Sequence, residues 1–302
     1  MAIYDELEKE RQIQYEEYRT LFKKSTYFYV LTFFSFLGFI IGNISMLPVI
    51  MIISIAFLIF GIIIGSTYTS KANKIKKNFE NTIKEKLVNK VINEHYENAS
   101  FIANGKININ KINNVGLVKQ PDRYNGEDLI KGEYKGIKFE VSDVILTERQ
   151  VRSNGKSTYY VYVDYFKGRW YVFNFPVNLK QTIKIVESNS FTKTRGLKKY
   201  ETEMIEFNKK FSIYSSDERF FYYVMNPYLI ERLLILEQEH RGKIYYCFHN
   251  DELHIGVNDN SNSLSIDFKK PINETTLTQF IDDIVLIKTI IDELRLDDIK
   301  FK

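Results

Sequence analysis

The sequence predicts an α+β chain: a two-helix transmembrane hairpin, a long helix, then a cytoplasmic domain of antiparallel β meander plus helices. Three observations carry that expectation. From Ser25 to Ser70 the chain runs 46 residues without a charged side chain. Residues 68–98 place apolar side chains mostly four apart, the spacing of a one-sided helix. Beyond residue 126 the pattern switches to period two, broken by Lys135-Gly136 and Asn154-Gly155, which are hairpin signals.

Residues 1–24 form an N-terminal cytoplasmic segment of helix formers without Gly or Pro. Its apolar positions, Tyr4, Leu7, Ile13, Tyr18, Leu21 and Phe22, keep a loose helical spacing. Residues 25–70 make the transmembrane hairpin. The break at Gly42-Asn43-Ile44-Ser45, with Pro48 beyond, divides the run into spans of about 26–42 and 46–65. At 1.5 Å per residue these reach about 25 and 30 Å, against a hydrocarbon core of ~30 Å. Tyr27 and Tyr29 extend the shorter span into the interface. A cleaved signal peptide does not fit, because a 25-residue segment with eleven charged side chains precedes the first span.

Lys23 and Lys24 precede the first span, Lys71, Lys74, Lys76 and Lys77 follow the second, and the turn between them is uncharged. The positive-inside rule therefore puts both termini and the main domain on the cytoplasmic side of the plasma (inner) membrane of a bacterium. The four lysines after the second span are placed to contact anionic lipid. Both spans contain Gly-x-x-x-Gly, Gly38/Gly42 and Gly61/Gly65, which lets helices approach closely. Folding about residues 44–45 would set Ser35 near Ser54, Phe28 near Gly61 and Gly38 near Met51. A packed intramolecular hairpin is preferred over a homo-oligomer built on the glycine faces.

Residues 71–98 form the juxtamembrane helix, its stripe being Ile75, Phe79, Ile83, Leu87, Val91 and Tyr96. Residues 99–302 form the cytoplasmic α+β domain, with a sub-boundary near 188–200. The asparagine-rich stretch to Asn114 reads as loop. Strands are expected over Glu127–Tyr134, Ile137–Leu146, Ser157–Phe166 and Arg169–Phe175, with Lys167-Gly168 as a break. Phe211–Tyr214 and Arg219–Val224 read as further strands. Asn226-Pro227 opens a helix to about His240, Asn226 capping it and Pro227 in its first turn. Lys243–His249 and Glu252–Val257 pair around Asn250-Asp251. Ser263–Phe268 reads as a strand and Thr275–Leu296 as a closing helix.

Net charge is +4, divided as −1 over residues 1–25, +3 over 26–98 and +2 over the remainder. A near-neutral domain lacks the footprint of a nucleic-acid binder, so no nucleic-acid partner is expected. One cysteine, Cys247, excludes an internal disulfide. With four histidines and no phosphate-binding loop, zinc-protease or serine-hydrolase motif, the chain leans away from an enzyme, and no cofactor is expected.

Two constellations remain. In a two-residue hairpin at Asn250-Asp251, Cys247, His249, Glu252 and His254 share one face, and Cys/His/His with a carboxylate is chemically a zinc set. Mixed polar hairpin faces are the commoner explanation, so no metal is expected and Cys247, His249 and His254 are the residues to inspect. The polar stretch Gln120–Asp128 offers Asp122, Arg123, Tyr124, Glu127 and Asp128 to a ligand. The simpler alternative is a turn in which Asp122 caps amides and Arg123 pairs with Glu127 or Asp128.

The stretch Gly116-Leu117-Val118-Lys119-Gln120-Pro121-Asp122-Arg123-Tyr124-Asn125-Gly126-Glu127-Asp128 resembles a bacterial family known only as domain of unknown function 3137. That family's pattern is close to Gly-Leu-Phe, two residues, then Pro-Asp-Arg-Tyr-Ser-Gly-Glu-Asp. Phe166-Lys167-Gly168, Phe211-Ser212-Ile213-Tyr214-Ser215 and Asn226-Pro227-Tyr228-Leu229-Ile230-Glu231-Arg232-Leu233 extend the likeness over most of the chain. Phe221-Tyr222-Tyr223 departs from the family's Ala-Arg-Tyr. The resemblance implies architecture and membrane location, and brings no catalytic residues. The leading expectation is a membrane-anchored binding or scaffold module with an unknown protein partner. The alternatives are a membrane-tethered enzyme using the 121–128 loop and an oligomeric pore.

Overall fold

The computed structural model describes residues 2–187, 190–239, 242–262, 264 and 267–298. It divides into two compact units, Met1–Lys84 with Ile266–Thr278, and Glu85–Ser265 with Gln279–Lys302.

The first unit is built on two long helices. Helix α1 runs Ala2–Ile44 without a break, and α2 starts at Pro48 and runs to His95. Both are long and apolar enough to cross a membrane. Phe33, Phe34 and Ile52 are among the many large apolar side chains that point outward along this stretch. The turn is centred on Met46, whose φ is 54°, with Leu47 N–H donating to Gly42 O and Pro48 opening α2. Proline suits a first helical position because its missing N–H would have no partner there.

Centring the turn on Met46 rather than on residues 44–45 shifts the helix register. A Cβ on Gly38 would meet Ser54 Oγ at 2.9 Å, not Met51, which instead lies against Gly42. Gly61 faces Thr32 and the Phe28 carbonyl, and Gly65 faces the Tyr29 ring. All four span glycines therefore line the crossing of the two helices of one chain. Ser25, buried, donates to Gly65 O and hydrogen-bonds Thr69 Oγ1, closing the same seam at its base. Further toward the N-terminus, Arg11 forks onto Glu8 and reaches Phe268 O, and Phe268 packs on Phe79, Tyr15 and Tyr18.

The second unit is a nine-stranded antiparallel sheet in the order β1-β2-β3-β4-β9-β8-β5-β7-β6. Its strands are β1 Glu97–Ile102, β2 Arg123–Tyr134, β3 Ile137–Ser153, β4 Thr158–Asn174, β5 Thr182–Glu187, β6 Lys198–Tyr200, β7 Phe211–Ser215, β8 Lys243–His249 and β9 Glu252–Asn258. The helices are α3 Ile109–Val115, α4 Ile205–Lys210, α5 Glu218–Val224, α6 Pro227–Glu239 and α7 Glu274–Glu293. The fold is α+β, with the predicted β2-β3-β4 meander at one side. The β8–β9 hairpin takes the expected register, His249 opposite Glu252 and Cys247 opposite His254.

Several local expectations are corrected. Arg219–Val224 is helical, not a strand, because Asp217 caps it, its Oδ1 accepting from Phe220 N at 2.8 Å. Lys167-Gly168 does not break β4. Gly168 has φ 155°, and a Cβ there would sit 2.1 Å from Val257 O, so glycine is what lets the two strands approach. Part of the asparagine-rich stretch is α3, capped by Asn108, with Gly116 at φ 55° ending it. The strand expected over Ser263–Phe268 lies partly outside the described residues, and Leu264, Asp267 and Phe268 are not in strand. His240, the expected end of α6, lies outside them as well. Asn226 does cap α6, accepting from Leu229 N at 2.9 Å.

The central strands are buried on both faces. One core holds Ile112, Val115, Leu146, Phe166, Trp170, Val172, Tyr245 and Cys247, beneath α3 and its flanking loops. The opposite face buries Phe139, Phe173, Ile185, Tyr246, Phe248 and Leu253. Strands covered on both sides lose the in/out alternation of an edge, which is why β8 reads as almost continuous buried positions.

Candidate functional site

The residues predicted for a ligand loop at 121–128 do not converge, because Arg123 onward is strand β2 and successive side chains point to opposite faces. Asp122 Oδ2 accepts from Arg149 N at 2.7 Å, so it does cap an amide, but on a neighbouring strand. Arg123 lies over the Tyr162 ring at 3.2 Å rather than on a carboxylate. Tyr124 turns inward, its hydroxyl donating to Ile107 O at 2.5 Å. Glu127 accepts from Asn262 Nδ2 at 2.7 Å. Asp128 is buried at a bulge with φ 62°, its N–H donating to Ala103 O.

The proposed zinc set is likewise separated, and among the described residues no group of three His, Cys, Asp or Glu could hold a metal. Cys247 is fully buried and its thiol donates to the Phe248 carbonyl. Burial pushes that thiol up to about 12, so it stays protonated and is a poor ligand or nucleophile. His249 pairs with Thr182 Oγ1 and Asn250. His254 Nδ1 accepts from Trp170 Nε1, and its Nε2 lies 2.9 Å from Glu252 Oε2. Those bonds fix the Nε2–H tautomer and block the nitrogen a general base would use.

Glu252 extends this buried network outward. It also accepts from Asn174 and lies 3.5 Å from Lys111 Nζ, and chiefly the His254 hydrogen bond holds its carboxyl down to about 2. Lys111 and Lys131 both meet Glu140, at a cleft of about 430 Å³ that Lys106 and Tyr124 also line. Lys111 and Lys131 are paired with Glu140 and Glu252, which ties α3 to β2, β3 and β9, and Lys106 lies over the Tyr124 ring at 4.7 Å.

A larger concavity, about 670 Å³, lies between the 201–204 segment and the corner where α5 meets α6. It falls in a region for which no binding residue is expected from sequence. Phe221, Met225 and Ile230 form its buried floor, while Met204 and Tyr222 rise exposed at its sides. Phe221 is fixed from behind by stacking on Tyr200, rings 4.9 Å apart and 18° from parallel. The wall is held by Asn208, whose Oδ1 accepts from Thr202 N and whose Nδ2 donates to Thr202 O at 2.7 Å. Asn226 and Pro227, which start α6, complete the far side.

The lining contains Glu201 and Glu203 but no His, Cys, Lys or Arg. Such a groove can bury apolar groups and attract positive charge, and its lining offers no nucleophile–base pair. Its volume falls in the range of ordinary ligand and peptide sites. The one sequence feature that could have pointed to it is the aromatic triplet Phe221-Tyr222-Tyr223, of which Phe221 is inside and Tyr222 and Tyr223 are exposed.

The family model described as a protein of unknown function (DUF3137) matches residues 164–296. The matched stretch contains β4 from Asp164 onward, the groove and the β8–β9 hairpin, but not the 116–132 segment. Among solved structures, the crystal structure of the mycobacterial trehalose monomycolate transport factor A, TtfA, is similar at 6% identity and a TM-score of 0.35, covering 65% of this chain and 88% of that one. No curated protein matches the sequence.

Proposed function

We propose that this chain, whose residues 164–296 match the family model described as a protein of unknown function (DUF3137), is a membrane-anchored binding or scaffold module. Its two long apolar helices cross the membrane as an antiparallel hairpin, with both chain ends and the sheet unit on the cytoplasmic side. The lysines flanking the spans and the uncharged turn support that orientation. The groove between the 201–204 segment and the α5–α6 corner takes an apolar segment of a partner protein carrying basic residues. The single observation behind this is an apolar floor and two exposed apolar walls whose charged lining residues, Glu201 and Glu203, are both acidic.

A tethered enzyme working through residues 121–128 has less support, since those side chains diverge from β2. Affinity purification of the full chain from membranes, with mass spectrometry of what is retained, tests the proposal. A partner retained by the parent chain should be lost from Met204→Asp and weakened by the pair Glu201→Lys and Glu203→Lys. Retention unchanged in both variants would refute the groove. A bound metabolite turned over by the chain would replace the module with an enzyme.

A further inference from the structure

We propose that the outer part of the β3–β4 hairpin is a cationic, tyrosine-rich arm that docks on an anionic lipid surface. β2 pairs with β3 only as far as Thr147, opposite Arg123, and β9 pairs with β4 only from Arg169. Beyond those points, among the described residues, no third strand pairs with the ladder from Glu148 opposite Val163 to Ser153 opposite Thr158. A ribbon of this length extends about 20 Å at ~3.3 Å per residue. Every residue from Val151 to Tyr160 is exposed, so the arm contributes no core of its own.

Isolated two-stranded ribbons are marginal in water, yet this one is braced along its length. Arg149 lies over Tyr160 at 4.7 Å and Arg123 over Tyr162 at 3.2 Å. Thr147 Oγ1 donates to Asp164 Oδ1 at 2.6 Å across the base. The tip is closed by Asn154 Oδ1, which accepts from Lys156 N and Ser157 N, with Gly155 at φ 82°. Side chains that hold an exposed ribbon in shape without burying it prepare a docking surface.

Composition selects the occupant. Between Glu148 and Asp164 the arm carries Arg149, Arg152 and Lys156 and no acidic residue. Tyr159, Tyr160 and Tyr162, with Val151, are its exposed apolar bodies. Arginine, lysine and tyrosine together are the side chains that settle at the headgroup level, the cations on anionic lipid and the rings at the hydrocarbon boundary. Two like-charged arms repel, which disfavours a second copy as the occupant. The same chain carries two helices long and apolar enough to cross a membrane, so a lipid surface is a partner it meets in any case. The inference uses that membrane anchoring and is independent of the groove.

The experiment uses the full chain held in neutral phosphatidylcholine nanodiscs, mixed with separate vesicles and read by flotation. Vesicles containing phosphatidylglycerol should carry the protein upward, pure phosphatidylcholine vesicles should not, and 0.5 M salt should release it. Removing each arm charge, in Arg149→Gln, Arg152→Gln and Lys156→Gln, should weaken vesicle binding roughly fivefold. Thr158→Cys carrying an environment-sensitive dye reports the arm directly, since Cys247 is buried. Its emission should shift to the blue only with the anionic vesicles. Equal flotation with both lipids, or full binding by a variant carrying Arg149→Gln, Arg152→Gln and Lys156→Gln together, overturns the proposal. So does soluble polyglutamate that binds as tightly as the vesicles, which would mark an acidic protein as the partner.

Discussion

Trp170 Nε1 donates to His254 Nδ1 at 3.3 Å, a diagonal contact between β4 and β9 that leaves both side chains fully buried. Trp170 stands opposite Gly256 and His254 opposite Val172 in the ladder. The indole therefore leans over the glycine to reach the imidazole, and His254 passes the polarity on to Glu252, half-way to solvent. A buried ring nitrogen that lost its partner would cost about 1–3 kcal/mol, so the three residues hold one another in place.

Gly256→Ala should destabilise the sheet unit. A Cβ there would lie 2.9 Å from the Trp170 ring and 3.2 Å from Phe166, both confined in the core. Moving the indole strains its bond to His254, and overpacking of this kind costs about 1–3 kcal/mol. Trp170 is the sole tryptophan, so intrinsic fluorescence during thermal unfolding in detergent reads this site alone. An unchanged transition would mean the core has room to spare.

Glu252 should make the sheet unit sensitive to acid. Its carboxyl is held from 4.5 down to about 2, chiefly by the His254 hydrogen bond. A group whose folded pKa is depressed contributes in full above its unfolded value and loses that contribution as pH falls through the folded one. The loss thus falls between pH 4.5 and 2, on the order of 1–2 kcal/mol after allowance for the solvent-facing side of the carboxyl. Glu252→Gln should flatten the unfolding midpoint over that window relative to the parent chain. Equal slopes for both would exclude the linkage.

Cys247 should resist alkylation in the folded protein. Burial keeps its thiol protonated, and the thiolate is the reactive species. Maleimide added to the native chain should label it far more slowly than after denaturation, and added zinc should change neither rate, because His249 and His254 are engaged elsewhere. Rapid native labelling, or protection by zinc, would contradict the geometry.

The β8–β9 hairpin was legible to the residue because Asn250-Asp251 is a local turn signal between two apolar runs of strand length. Which of its faces met solvent was not, since β4 and β5 extend the sheet on either side of it and α3 packs over the Tyr245 and Cys247 face, all from far along the chain. No strand was expected over Thr182–Glu187, where four consecutive buried positions leave little alternation, and three-residue β6 and seven-residue α3 are too short for a period to register. Arg219–Val224 failed for a different reason: aromatic residues favour strands in general, and the capping Asp217 outweighed that preference locally. The groove was hidden because it is assembled from two segments about twenty residues apart, neither of which bears chemistry alone.

Gly61→Leu should loosen the helix hairpin without changing the number of chains in a particle. A Cβ on Gly61 would lie 2.2 Å from Thr32 Oγ1 and 3.1 Å from the Phe28 carbonyl. Thr32 cannot swing aside freely, because its hydroxyl donates to that same carbonyl at 2.8 Å. The helices must part, forfeiting the Gly38–Ser54 and Gly65–Tyr29 contacts further along the seam. Calorimetry of the detergent-solubilised chain should show a lower unfolding temperature for Gly61→Leu, with a loss of about 1–3 kcal/mol. The neighbouring Ile62→Leu, on the outward face, should leave it unchanged. Light scattering settles whether the glycines serve one chain or several. A parent oligomer that falls apart in Gly61→Leu would place the glycine face between chains and revive a pore.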